Sequence, residues 1–317
     1  MSSISCSCVA DKVSEPLICL MGPTAAGKTD TAIALAEAFN AELISVDSAL
    51  VYRGLAIGAA QVSYPHHLVD IRDPADVYTA ADFVADAIEA AKAARSRGKR
   101  TILVGGTMMY FKALIEGLAD MPASDPALRA EIEADAAARG WPALHRELEL
   151  IDPAAAAQLH PNHSQRIARA LEVFRISGVP MSQWRAASRQ SKQEAVCVAL
   201  MPAERQTLHD RIESRFDTML AQGFVDEVGA LHRRGDLHVD LPAIRAVGYR
   251  QIWSHLSGEC SLAEARDKGI AATRQLAKRQ ITWLRGWTDL NWIDSEAKNA
   301  QEQVKFKVRN YLAPPLS

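Results

Sequence analysis

Eight consecutive residues, Gly22, Pro23, Thr24, Ala25, Ala26, Gly27, Lys28 and Thr29, fit the spacing G-x-x-x-x-G-K-[ST]. The chemistry this spacing serves is the holding of a diphosphate or triphosphate. Gly22 and Gly27 let the backbone aim successive N–H groups at one anion, Lys28 adds a point charge, and Thr29 offers a hydroxyl suited to Mg²⁺. Two further polar sets follow apolar runs. Asp47-Ser48 closes Glu42–Val46, and Gly105-Gly106-Thr107 closes Thr101–Val104. Asp47 has three open roles: organising Mg²⁺, acting as general base toward a hydroxyl or amine, or capping a turn. Gly105 and Gly106 admit close approach of a backbone or ligand, and Thr107 offers a hydroxyl.

A different chemistry is suggested further along. Arg266, Lys268, Arg274, Lys278, Arg279 and Arg285 share their stretch with a single acid, Asp267, and Trp283 and Trp287 lie beside them. Gln165, Arg166 and Arg169 crowd one side of a helical segment, and Arg245 and Arg250 flank Val247-Gly248-Tyr249. Basic residues interleaved with aromatics suit a phosphodiester backbone and unstacked bases. A solvated helix face is the bland reading of any one cluster. Three clusters in a chain of net charge −2 point instead to localised contact with a polyanion. His66-His67, and His160 with His163, lack companions at ligand spacing and read as loop histidines. Met108-Met109-Tyr110-Phe111 reads as core.

The elements that must position these residues alternate. Leu17–Met21, the runs ending at Val46 and Val104, and Ala195–Leu200 have strand character. Thr29–Phe39 and Thr79–Arg97 have helical patterns, the second closed by Gly98. Alternation of this kind predicts an α/β fold with a parallel sheet, whose ligands bind beyond the carboxyl ends of the strands. Between about 120 and 190 the pattern is wholly helical. Asp125-Pro126, Trp141-Pro142 and Asp152-Pro153 open helices, and Gln165–Ser177 forms another. The expected organisation is a flexible tail over 1–15, a phosphate-loop core over 16–120 and 193–317, and a helical insertion over 121–192. Helices recur from Ala203 to Arg285, with breaks near Gly235 and Leu241-Pro242.

Composition narrows the class. With 317 residues, 48% hydrophobic and 23% charged, the chain has neither a disordered nor a membrane-spanning composition. No signal peptide is expected at the N-terminus. The five cysteines are scattered, and the Cys6-x-Cys8 pair has no second pair to complete a zinc site. They suggest a reducing, cytoplasmic setting. Nothing in the chain demands more than a monomer.

Taken together, the runs over 22–29, Leu43 through Asp47, Ser48, Ala49 and Leu50 to Tyr52, Val104–Met108 with Tyr110-Phe111, Arg166–Glu172, Val247–Arg250, and Thr273–Gln275 with Lys278–Trp283 resemble the bacterial tRNA dimethylallyltransferase family. The resemblance extends from about residue 17 to 287. It implies a P-loop-type sheet flanked by helices, a helical insertion and a helical C-terminal part. It implies that the loop holds dimethylallyl diphosphate with Mg²⁺, and that Asp47 is general base toward N6 of the adenosine 3′-adjacent to the anticodon, with Thr107 beside the reacting groups. It further implies that the anticodon stem-loop of tRNA meets Asp47, Ser48, Ala49, Leu50 and Thr107, with Arg129, Gln165, Arg166, Ile167, Ala168 and Arg169 in the insertion. Arg245, Ala246, Val247, Gly248, Tyr249 and Arg250 would join them, as would Lys278, Arg279, Gln280, Ile281, Thr282, Trp283, Leu284 and Arg285. One segment departs. Where the family usually reads Asp-Ile-Gly-Thr-Ala-Lys, this chain has Ala56-Ile57-Gly58-Ala59-Ala60-Gln61, with a shorter linker to Pro65-His66. Activity is expected to survive, because the loop, Asp47 and Thr107 are intact. The residues alone leave open a kinase using the same loop for ATP, or a weakened homologue that only binds tRNA.

Overall fold

In the computed structural model, which describes residues 16–188 and 193–313, the apolar runs align as one six-stranded, wholly parallel sheet. In chain order come β1 (Leu17–Met21), α1 (Lys28–Ala38), β2 (Ala41–Val46), β3 (His66–His67), α2 (Ala80–Ser96), β4 (Arg100–Gly105) and α3 (Met108–Glu116). Five helices follow: α4 (Pro126–Arg139), α5 (Trp141–Ile151), α6 (Pro153–Ala156), α7 (Ser164–Ser177) and α8 (Met181–Ser188). The chain then returns with β5 (Ala195–Met201), α9 (Arg205–Ala221), α10 (Phe224–His232), α11 (Tyr249–Leu256), α12 (Leu262–Arg285), β6 (Leu290–Asp294) and α13 (Ala300–Leu312). Strand order is β3-β2-β4-β1-β5-β6.

Both sheet faces are buried, which is why the central strands are apolar throughout rather than alternating. Leu17, Cys19 and Met21 point to one face, with Leu103, Phe111 and the helices from α9 to α12; Ile18 and Leu20 point to the other, with α1 and α13. Register sets the site. Met21 and Val46 both align with Gly105, so the loops after β1, β2 and β4 leave the sheet at one level.

The described residues divide into two compact units, 16–115 with 193–313, and 116–188. The second has its own core, built on Ile132, Leu144, Leu148, Ile167, Leu171 and Val173. Asp125 caps α4 by accepting the N–H groups of Ala127 and Leu128. In this core Glu172 is fully buried and held by Ser124, Asp125 and Arg169.

Four features differ from the sequence reading. His66-His67, expected in a loop, forms a two-residue edge strand beside β2, with His67 against Glu42. α8, β6 and α13 were not anticipated. Only Ile293 of β6 is buried, because it is an edge strand, and so it lacks the apolar run that marks the others. Residues 1–15, read as a tail, lie outside the described residues. Among the described residues no helix is long and apolar enough to cross a membrane.

Candidate active site

The three strand-end loops open into one cavity of about 1400 Å³. In the phosphate loop, Lys28 Nζ donates to the carbonyls of Gly22 (3.0 Å) and Pro23 (2.7 Å), which parks the ammonium at the mouth of the loop. Thr29 is exposed to the cavity, and Arg211 and Arg215 reach the same cavity from α9. Burial and the neighbouring Arg215 guanidinium push Lys28 down to about 8, with Asp47 opposing the shift. Burial likewise lowers Arg215, again opposed by Asp47. The cavity thus concentrates positive charge that no protein anion fully offsets, as a polyphosphate site requires.

The pH consequence has a definite sign. Because Lys28 in the ligand-free protein loses its proton near pH 8, diphosphate must bind with proton uptake above that value. We expect inorganic pyrophosphate affinity to fall by about tenfold per pH unit above pH 8, apart from titration of the ligand itself. In Lys28→Met that dependence should disappear; isothermal titration in buffers of different ionisation enthalpy checks both points.

Beyond β2, Asp47 Oδ1 accepts the N–H groups of Ala49 (2.8 Å) and Leu50 (3.3 Å). One carboxylate oxygen therefore performs the turn-capping role, while the other remains available. The Ser48 N–H donates to Thr107 Oγ1 at 3.2 Å, so the Thr107 hydroxyl keeps its own proton to give. At the end of β4, Gly105 is required by close approach: a Cβ there would lie 2.1 Å from the Val46 carbonyl oxygen. Gln280 bridges two loops, accepting from the Thr24 N–H (2.9 Å) and donating to the Gly106 carbonyl (2.9 Å).

Gln280, expected among the RNA contacts, has a largely buried side chain that lies in the cavity lining and turns toward the phosphate loop. We expect Gln280→Ala to lower kcat/KM for the diphosphate substrate by about 10- to 100-fold while the fold persists, because loop position governs reactivity steeply. Steady-state kinetics alongside a melting curve tests this.

Several other residues expected to meet RNA have inward-facing side chains. Ile167 and Ala168 are buried in the insertion core, and Tyr249 and Leu284 are buried in the larger unit. The cause is helical periodicity: a basic stripe necessarily alternates with the positions that hold the helix down. In the insertion, Arg169 is committed to Glu172 and the Pro122 carbonyl, and Arg129 lies 3.7 Å from Glu172, whereas Gln165 and Arg166 are exposed. On α12, Arg266 pairs with Asp217 and Glu213, and Arg274 with Glu213; acids from α9 neutralise them. Lys278, Arg279 and Arg285 are exposed, with no ion pair among the described residues, as are Arg245 and Arg250. Ala246, Val247, Gly248, Arg245, Arg279 and the exposed Trp283 line the cavity, while Thr282 donates to the Lys278 carbonyl and Ile281 is half-buried.

Sequence reading missed Arg211 and Arg215. Their i,i+4 spacing on α9 was the available signal, masked by the acids that alternate with them in that helix.

Comparison with known proteins then bears on this site. Residues 50–287 match the family model described as IPP transferase. The chain is 56% identical over 298 residues to a Chromohalobacter salexigens protein named tRNA dimethylallyltransferase, covering 92% of this chain and 96% of that one. Among solved structures it is similar to the full-length tRNA isopentenylpyrophosphate transferase of Bacillus halodurans, with TM-score 0.67, 37% identity, and 93% and 97% of the two chains covered. A eukaryotic dimethylallyltransferase acting on tRNA shares the fold, with TM-score 0.80 at 23% identity over 96% of this chain and 82% of that one.

Proposed function

The chain belongs to the IPP transferase family, and from that premise we propose that it transfers a dimethylallyl group from dimethylallyl diphosphate to N6 of the adenosine 3′-adjacent to the anticodon of tRNA. It is a prenyltransferase that modifies tRNA. The observation that carries the reading is the meeting, in one cavity, of the phosphate loop, the uncommitted oxygen of Asp47 and the hydroxyl of Thr107, with Arg245, Arg279 and Trp283 in the same lining.

The reaction breaks the bond between C1 of the dimethylallyl group and the diphosphate oxygen, and forms a bond from C1 to N6. Pyrophosphate leaves with the electron pair. Lys28, Arg215 and the amides of the loop take up the charge that develops on it, which is where preorganised dipoles lower a barrier most. The exocyclic amine is a poor nucleophile, so its proton must go to a positioned base, and Asp47 fills that role. Thr107 donates its hydrogen bond beside the reacting groups. The adenine leaves its stack to enter the cavity. Among the described residues no cluster of His, Cys, Asp or Glu could hold a metal unaided. The fit for Mg²⁺ is therefore through Thr29 and the oxygens of the diphosphate, where the ion would supply charge neutralisation. Every group invoked comes from one chain, so the reading needs no second subunit, and a tRNA substrate supports a cytoplasmic setting.

The test combines purified protein, Mg²⁺, dimethylallyl diphosphate and an unmodified anticodon stem-loop carrying consecutive adenosines 3′ to the anticodon. Mass spectrometry of the digested RNA should find one prenyl group on adenosine. RNA binding without product would mark a weakened homologue. Phosphoryl transfer from ATP, with no prenyl product, would restore the kinase.

A further inference from the structure

Met109 stands in a run that reads as core, yet it is 53% exposed while its neighbours Met108, Tyr110 and Phe111 are buried. Helix geometry is the cause. α3 starts directly after Thr107 and packs Met108 and Phe111 inward, which turns Met109 and Lys112, three residues apart, to the outer face. Met109 lines the cavity together with Thr107, and Trp283, 41% exposed, lines it from α12. Two contacts bring α12 to this end of α3. The Gln280 amide donates to the Gly106 carbonyl at 2.9 Å, and Lys112 Nζ lies over the Trp283 ring, 5.9 Å from its centroid. Thr107, Met109 and Trp283 therefore share one side of the cavity mouth, where a thioether and an indole stand open to solvent at positions a surface helix ordinarily gives to polar groups.

An adenosine that enters the cavity must leave its stack, and the bases on either side of it then lose a stacking partner. A thioether and an indole suit such an orphaned face, because both are polarizable and cover it without reading its edge. We infer that Met109, together with Trp283, stacks against a base flanking the target adenosine and so replaces the partner that extrusion removes. The surrounding charge favours RNA over an apolar peptide as the occupant. Arg279 belongs to the same lining, and Lys278, Arg279 and Arg285 are exposed on α12 without an ion pair among the described residues. The inference rests on the proposed reaction for the identity of the RNA. It adds an uncharged contact to a surface otherwise read through its cations, and that contact favours the opened loop whichever phosphates the cations hold.

The experiment measures the affinity of three anticodon stem-loops by filter binding. One is intact, with adenosines on both sides of the target, and the other two carry an abasic site at the 5′ or the 3′ neighbour. Wild type should bind the RNA that lacks the contacted base about tenfold more weakly than the intact one, the scale of one base stacked on a side chain. Met109→Ala, at an exposed position, should melt as wild type does. It should weaken the intact RNA by about three- to tenfold and the abasic RNA by less than about twofold, since the stacked base is already gone. Its salt dependence should match wild type, whereas Arg279→Ala should lower the slope of log K against log salt by about one, which separates a stacked contact from a phosphate contact. Equal loss across all three RNAs would overturn the inference, and so would no loss for any of them. Product formation by wild type on the intact stem-loop is scored separately. Coupled binding without product would count against the proposed reaction alone, and product without coupling would count against this contact alone.

Discussion

Asp47→Asn should lower kcat by about 10²- to 10⁴-fold, the range for removing a positioned general base, with RNA affinity unchanged. The choice of Asn matters because Asp47 has two roles. Its Oδ1 holds the turn through Ala49 and Leu50, and an amide oxygen can accept the same bonds. Asn therefore removes the base and spares the turn, whereas Asp47→Ala removes both and should also weaken RNA binding. Single-turnover rates with saturating stem-loop, paired with filter binding, separate the two variants. Equal activity in Asp47→Asn and wild type would eliminate Asp47 as the base.

Glu172→Ala should cost the helical insertion about 3–5 kcal/mol, the penalty for breaking a buried charge cluster by removing one partner. The Glu172 side chain is fully buried, takes hydrogen bonds from Ser124 Oγ (2.6 Å), Asp125 N–H (2.9 Å) and Arg169 (2.7 Å), and has Arg129 nearby. Without it, Arg169 is left beside an apolar core. Burial pushes the Glu172 carboxyl up, but the bonds from Ser124, Arg169 and Asp125 outweigh it and hold the group below the usual carboxylate range. The sign follows. The stabilisation is complete above the ordinary carboxylate pKa and is lost as pH falls through the lower folded value. Denaturant melts of wild type should thus weaken in acid, and limited proteolysis of Glu172→Ala should cut within 116–188 first. An unchanged melt would assign Glu172 no such role.

Legibility varied with how local the cause was. The phosphate loop was readable because its glycines, Lys28 and Thr29 act within one turn of chain. The helix starts at Asp125-Pro126 and Asp152-Pro153 were readable because capping is also local. Gln280 was not, since its partners Thr24 and Gly106 are brought to it only by the packing of α12. The basic count on α12 overstated the free charge because the acids that pair with Arg266 and Arg274 come from α9. Ile167, Ala168, Tyr249 and Leu284 sit inside RNA-like motifs yet point inward, which a motif written as a string cannot express.

By itself the sequence determined the chemistry that can be written along a chain: a polyphosphate loop, a carboxylate and a threonine at strand ends, and localised rather than overall positive charge. Those depend on residue type and short spacing. The tertiary structure decided which groups share a cavity, through the register that aligns Met21 and Val46 with Gly105. It also decided which charges are free and which are spent, and how Glu227 anchors residues 56–58 from far along the chain. Pairing between distant residues is set by how whole elements bury their apolar faces, and that is a property of the assembled core rather than of any segment.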